Sequence, residues 1–339
     1  MTFKNRLAVI HQFHQFVNNI IENPSENIVL QEPKHYNNWF VPENVLQAFK
    51  GIAALTHADA LATWLAPYDI QDDINVKTVG IVAAGNIPMV SFHDVLSTYL
   101  VGHKVNIKLA KEDTYLMTLV INKINELANN TTPSIEIVHQ LREIDAIIAT
   151  GSNNSARYFE HYFAKYPNII RKSRSSVAIL TGKETEKDFL ALANDIFDYY
   201  GLGCRNVSKL YVPRGYDFIP LFDNIEPFGY VFDHHKYKNN YDYQKSIYLL
   251  NQVKHFDNGF LLIKEDLALA TPVSVVNYEY YDTIPELSLK LASISEQIQC
   301  IVGSEKEEIS SINFGNSQLP SPQDYADGVD IIAFLKTIS

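Results

Sequence analysis

Residues 76–113, VKTVGIVAAGNIPMVSFHDVLSTYLVGHKVNIKLAKED, decide how the chain reads. A β-rich apolar run at 79–83 is followed by a helical pattern to about residue 100 and a second β-rich run at 104–107. A strand, a helical crossover and another strand make the βαβ unit of a parallel sheet. The alternation continues with a helix over 114–128 and strand runs at 135–138, 146–149 and 177–180. It predicts an α/β fold, a mostly parallel sheet covered by helices.

Upstream, Leu7, Ile10, Phe13, Val17 and Ile20 lie at helical spacing over 3–21, and a Pro-Ser-Glu-Asn break follows at 24–27. Val45, Phe49 and Leu55 mark a second helical region over 43–65. Downstream, 209–212 reads as a strand. Asp257-Asn258-Gly259 signals a hairpin between 253–256 and 260–263, and 272–281 alternates like a strand. The polar, Tyr- and Asn-rich segment 237–243 reads as a loop.

The size of the chain, 339 residues with 46% hydrophobic, suits two domains. A formal net charge of −11 argues against a nucleic-acid or anionic-membrane partner. Nothing approaches the roughly 18 consecutive apolar residues of a membrane span. The N-terminus shows no targeting pattern, so a cytoplasmic protein is expected. Cys204 and Cys300 are too few and too far apart for a disulfide framework or a Cys-rich metal site. His234-His235 has no third ligand at a helpful spacing, and no metal is expected.

Cys204 carries the first chemical signal. Taken alone, a cysteine is more often a small buried hydrophobe. Here it follows Gly201-Leu202-Gly203, where the backbone can approach a ligand, and precedes a strand. The adjacent Arg205, or exposed backbone N–H groups, could favour the thiolate. Cys300 sits among Ile298, Ile301 and Val302 and reads as core.

The runs IVAAGNIPMVSFHDVLSTYL (81–100), VNIKLAKED (105–113), IIATGSNNSARYF (147–159), SSVAILTG (175–182) and GLGCRNVSKLYVP (201–213) resemble the aldehyde-dehydrogenase superfamily. They look closest to its LuxC-type acyl-CoA reductases. The likeness resumes at ATPVSVVNYEYY (270–281) and QLPSPQDYADGVDIIAFL (318–335).

The resemblance makes Cys204 the nucleophile and Asn86, of Asn86-Ile87-Pro88, a side-chain donor to the oxyanion. It assigns the cofactor to Lys108, which ends a strand, and to the turn Thr150-Gly151-Ser152, where a helix opens beside the pyrophosphate. Glu265 takes the place of a Glu that bonds the nicotinamide ribose. Lys111 stands where NAD-preferring members carry Glu. As a cation toward a 2′-phosphate it favours NADPH, with NADH as the alternative; read blandly it is a solvated lysine. The family's hydrolytic members carry a water-activating Glu before the strand matching 177–180, and residues 169–174 here (IIRKSR) hold no carboxylate. Arg171, Lys172 and Arg174 form a basic cluster, read either as a contact for CoA or cofactor phosphates or as a solvated patch.

The expected fold is aldehyde-dehydrogenase-like, a Rossmann-like cofactor domain over 1–195 plus about 316–339, with a smaller α/β catalytic domain over 196–315. The expected activity is NADPH-dependent reduction of an acyl-CoA, fatty by resemblance, to the aldehyde through a Cys204 thioester. The alternatives are an oxidative aldehyde or semialdehyde dehydrogenase and a degenerate member that binds a nucleotide or partner without turnover. A homo-oligomer and an acyl-transferring partner protein are expected from the family.

Overall fold

The computed structural model describes residues 1–24, 27–304, 309–310 and 312–339, so part of the expected 24–27 break lies outside the described residues. The chain divides into two compact units, Met1–Ser173 with Pro320–Ser339, and Arg174–Leu319.

In the first unit five parallel strands form one sheet: β1 (Thr78–Val82), β2 (Lys104–Lys108), β3 (Ile135–Ile137), β4 (Ala146–Thr150) and β5 (Asn168–Arg171), in the order β3-β2-β1-β4-β5. Ala146, Ile147, Ile148 and Ala149 are all buried. An unbroken apolar run of this kind belongs to a strand covered on both faces. The helices are α1 (Phe3–Glu22), α2 (Ile28–Gln31), α3 (Pro33–Tyr36), α4 (Pro42–Thr56), α5 (Ala58–Leu65), α6 (Phe92–Val101), α7 (Thr114–Leu127), α8 (Asn153–Phe163) and, from the C-terminal segment, α13 (Ile331–Thr337).

The apolar stripe of α1 is buried at Val9, Ile10, Phe13, Val17 and Ile20. Its Arg6 is also buried, and donates to the carbonyls of Leu100 (3.0 Å) and Val101 (3.3 Å). A cation thereby satisfies the last carbonyls of α6. The region expected as one helix over 43–65 is two. His57 leaves helical geometry (ψ 139°) and its Nδ1 accepts the Asp59 N–H, so the same residue ends α4 and caps α5.

The C-terminal segment belongs to this unit through a chain of hydrogen bonds. Trp64 Nε1 donates to the Tyr325 hydroxyl (2.7 Å), which lies 2.8 Å from the Tyr68 hydroxyl, and Tyr68 donates to Asp330 Oδ2 (2.6 Å). His103 Nε2 lies 3.0 Å from the Leu335 carbonyl oxygen.

In the second unit β6 (Ser175–Ile179), β7 (Val207–Pro213), β8 (Phe256–Asp257), β9 (Leu262–Glu265), β10 (Val275–Tyr281), β11 (Ile298–Gly303) and β12 (Ile312–Asn313) form a seven-stranded sheet ordered β12-β11-β6-β7-β10-β9-β8. Among the described residues only the β8–β9 pair is antiparallel, and it closes over the Asp257-Asn258-Gly259 turn. The helices are α9 (Glu186–Phe197), α10 (Ile219–Asn224), α11 (His235–Leu250) and α12 (Ile284–Ser293).

The compact units divide at 173/174, ahead of the expected 195/196, because β6 is hydrogen-bonded between β11 and β7 and carries α9 with it. The segment expected as a loop at 237–243 lies inside α11. Its buried Tyr237, Tyr241 and Tyr248 supply an apolar face from residues that read as polar. No helix among the described residues is long and apolar enough to cross a membrane.

Candidate functional site

In the first sheet the strand order reverses beside β1, which lies between β2 and β4. The carboxyl edge of an open parallel sheet at such a switch point is where ligands bind in this architecture. Val82 pairs with Lys108 on one side and Ala149 on the other, so the ends of β1, β2 and β4 lie side by side. That register gathers Asn86, Lys108, Lys111 and Thr150-Gly151-Ser152 along one edge. Asn86, Lys108, Lys111 and Ser152 are exposed, and Thr150 and Gly151 are half-buried.

The loop after β1 is fixed by its neighbours. Ala83 N–H donates to the Lys108 carbonyl (3.0 Å) and Ala84 N–H to Ser91 Oγ (3.1 Å). Met89 holds a left-handed φ of 54° and donates its N–H to Asp113 Oδ2 at 2.7 Å. Asp113 is buried and its Oδ1 has no hydrogen-bond partner. Burial pushes its carboxyl well above the usual carboxylate range, against the stabilising Met89 N–H.

At the end of β4, Ser152 caps α8 by accepting the Ser155 N–H at 3.2 Å. A Cβ at Gly151 would lie 2.8 Å from Ser155 Cβ, so only glycine lets the turn close onto the helix. A helix N-terminus, two hydroxyls and two exposed lysines at one sheet edge suit the phosphates and ribose of a dinucleotide.

The basic cluster does not form. Arg171 is buried and its Nη1 donates to both carboxylate oxygens of Asp94 (2.8 and 2.7 Å). Lys172 pairs with Glu160 at 2.8 Å. Arg174, in the other unit, donates to the Ile298 carbonyl. Each has a structural contact of its own, and Arg171, buried against Asp94, is taken up by that pair.

In the second unit Cys204 is exposed and Cys300 buried, both as thiols. Tyr199 (φ 52°), Tyr200 (φ 58°) and Gly201 (φ 76°) form three successive left-handed residues just before Cys204. For the two tyrosines this costs about 1–2 kcal/mol each, so the surrounding bonds must impose it. The Cys204 carbonyl accepts Ser176 Oγ (2.9 Å), and Cys300 Sγ lies 2.9 Å from the same hydroxyl. With the Ser176 proton spent on Cys204, the Cys300 thiol is the donor of that second contact. Arg205 Nε donates to the Ser317 carbonyl (2.5 Å).

Asp195 accepts the Gly315 (2.7 Å) and Ser317 (2.9 Å) N–H groups. Asp198 has its carboxyl pushed up to about 7 by burial and then by the neighbouring Asp195 charge. Glu265 ends β9, opposite Tyr278 of β10, and is exposed. His234 and His235 stack at 5.3 Å, and His234 Nδ1 accepts the Tyr237 N–H.

Sequence reasoning passed over Asp113, Asp195, Asp198 and Asn206, and also Lys209. The last is fully buried and donates to Glu279 (3.0 Å) and the Asp266 carbonyl (2.5 Å). Only Asn206, a turn-forming residue two after Cys204, carried a signal that could have been read.

No protein-family model and no curated protein matches the chain. Solved structures do. Aldehyde dehydrogenase 21 from Physcomitrella patens, in complex with the reaction product succinate, shares 13% identity at TM-score 0.67 over 100% of this chain and 84% of its own. A mutant of aldehyde dehydrogenase C from Pseudomonas syringae, complexed with NAD+ and octanal, shares 12% at TM-score 0.65 over 89% of this chain and 72% of its own. An aldehyde dehydrogenase of Mycobacterium tuberculosis, complexed with NAD+, shares 13% at TM-score 0.61 over 89% of this chain and 73% of its own. At these identities the likeness establishes the aldehyde-dehydrogenase fold.

Proposed function

We propose that the chain is an NAD(P)-dependent oxidoreductase that interconverts an aldehyde and a thioester held on Cys204, acting as an aldehyde or semialdehyde dehydrogenase. The observation that carries this reading is an exposed cysteine on a strained, heavily bonded turn within the aldehyde-dehydrogenase fold. The NAD+ and octanal complexed with the Pseudomonas syringae enzyme support an aliphatic aldehyde and a nicotinamide cofactor.

In this reading Lys108, Thr150, Gly151 and Ser152 hold the cofactor, Lys111 meets its adenosine ribose or 2′-phosphate, and Glu265 meets its nicotinamide ribose. When bound, the cofactor takes a hydride from the substrate carbon or returns one. The Cys204 thiolate adds to the aldehyde carbonyl. By the resemblance, Asn86 would donate to the resulting oxyanion, and passage of the hydride to the nicotinamide would leave the thioester on Cys204. Such a donor is worth about 3–4 kcal/mol toward the transition state.

A second reading is favoured by one observation. Where hydrolytic relatives place a water-activating Glu, residues 169–174 hold none, and Arg171, Lys172 and Ser173 are tied to Asp94, Glu160 and Asn153. Release of the acyl group to a thiol such as CoA needs no such base, and run in reverse it is the NADPH-dependent acyl-CoA reduction of the LuxC-type enzymes. A homo-oligomer, a cytoplasmic location and an acyl-transferring partner go with either reading as proposals.

The test is cofactor turnover with a panel of aldehydes plus NAD+ or NADP+, with and without CoA, and with acyl-CoAs plus NADPH or NADH. Aldehyde oxidation lost in Cys204→Ala and reduced by about 10²–10³ in Asn86→Ala supports the main reading. Turnover only with CoA or acyl-CoA selects the second. Folded protein inactive in every arm returns the chain to a non-catalytic nucleotide binder.

A further inference from the structure

Asn206 occupies the centre of the Cys204 turn. It is 3% exposed, and every polar atom of its side chain is engaged with backbone. Its Oδ1 accepts the Gly203 N–H at 2.8 Å, and its own N–H donates to the Gly203 carbonyl at 3.1 Å. Its Nδ2 donates to the carbonyls of Asp195 (3.1 Å), Ile196 (3.5 Å) and Asp198 (2.8 Å). The bonds therefore grip the chain on both sides of the left-handed run Tyr199–Tyr200–Gly201. One amide closes the loop from the end of α9 to the residue before the thiol. Ser176 anchors the turn at the Cys204 carbonyl.

A carboxylate of the same size could accept from Gly203 but would face three carbonyl oxygens, and an aliphatic side chain would remove the side-chain bonds to the Gly203 N–H and to the three carbonyls. The need for an acceptor on one side and two donors on the other fits an amide. Left-handed tyrosines persist only where surrounding contacts over-determine them, and here Asn206 supplies several of those contacts from one side chain.

We propose that Asn206 is a positioning residue for the nucleophile: it holds the strained turn closed and so fixes where the Cys204 thiol sits and how it ionises. The inference rests on the reading of Cys204 as nucleophile.

Its test is the pH dependence of Cys204 alkylation by iodoacetamide, followed site by site by peptide mass spectrometry. The full-length wild type, Asn206→Ala and Asn206→Asp are compared with the urea-unfolded chain. Cys300, buried in the folded protein, reports unfolding in the same sample. The expected result is a wild-type Cys204 profile displaced by about one pH unit or more from the unfolded chain. In both variants it moves back toward the unfolded chain while Cys300 stays protected.

A wild-type profile displaced from the unfolded chain and unchanged in the variants overturns the role of Asn206 alone. Cys300 reacting in step with Cys204 in both variants overturns it too, by showing a purely structural residue. A wild-type profile already coincident with the unfolded chain removes the activated nucleophile, and both readings fall.

Discussion

Asp113 Oδ2 accepts the Met89 N–H at 2.7 Å, from a carboxyl group buried at the start of α7 to a residue held at φ 54°. The bond fixes the loop that carries Asn86 by a contact remote in sequence. Burial holds this carboxyl well above its ordinary range, which favours the neutral acid over the carboxylate. Asp113→Asn keeps an acceptor for Met89 and should change stability by less than about 1 kcal/mol at pH 7. Asp113→Ala leaves a buried N–H unpaired and should cost about 1–3 kcal/mol. Urea unfolding at pH 7 separates them, and an Asn variant as damaged as the Ala variant would falsify the idea that Asp113 serves as an acceptor for Met89.

The Asp94–Arg171 pair joins α6 to the end of β5 with both side chains buried. Removing one partner strands a charge out of water, so Asp94→Ala or Arg171→Ala should each cost about 3–5 kcal/mol. The double variant should lose less than the sum of the singles, since neither charge is left alone. Denaturant midpoints of the three variants decide it, and strict additivity would mean the pair does not act as a unit.

Asp198 gives a pH signature. Its folded-state value of about 7 lies above the unfolded value of ~3.9, so the native state binds this proton more tightly. The stability it contributes is present in full below the unfolded value and is lost as pH rises through the folded one. Asp198→Asn cannot titrate. Its melting temperature should therefore gain on wild type between pH 4 and pH 8, by an amount worth on the order of 4 kcal/mol or less at the upper end. A constant offset across that range would show that the carboxyl does not titrate there.

The parallel sheets were legible because burial on both faces writes an unmistakable apolar run, as at 146–149, and because 76–113 alternates cleanly between two periods. The loop positions at the sheet edge followed from strand ends, which is why Lys108 and Thr150 end the two strands that flank β1. Residues 237–243 misled because tyrosines form the buried face of α11 while their hydroxyls make the segment look polar. The cluster at 171–174 misled because charge in sequence says nothing about direction: Arg171 turns inward to Asp94, and β5, which carries it, is a short strand hidden in a basic run. Asp113 acts through one backbone N–H and Asn206 through several backbone groups, all brought to them only by the folded chain, a relation that no residue spacing encodes.

Lys111 separates the two nicotinamide cofactors. It follows β2 on the sheet edge where Lys108 and the Thr150-Gly151-Ser152 turn gather, and its side chain is exposed. If it meets the 2′-phosphate, a charge-assisted hydrogen bond of about 1.5–3 kcal/mol is at stake, or roughly ten- to a hundredfold in affinity. Lys111→Glu replaces that donor by a carboxylate, which repels the phosphate and can accept from a free 2′-hydroxyl. The expected outcome is NADPH affinity reduced by at least about tenfold, with NADH affinity held or raised. Titration calorimetry of both cofactors against both proteins measures this without any substrate. Equal losses for NADPH and NADH would mean that Lys111 only contributes a general positive field, and no change in either would make it a solvated lysine.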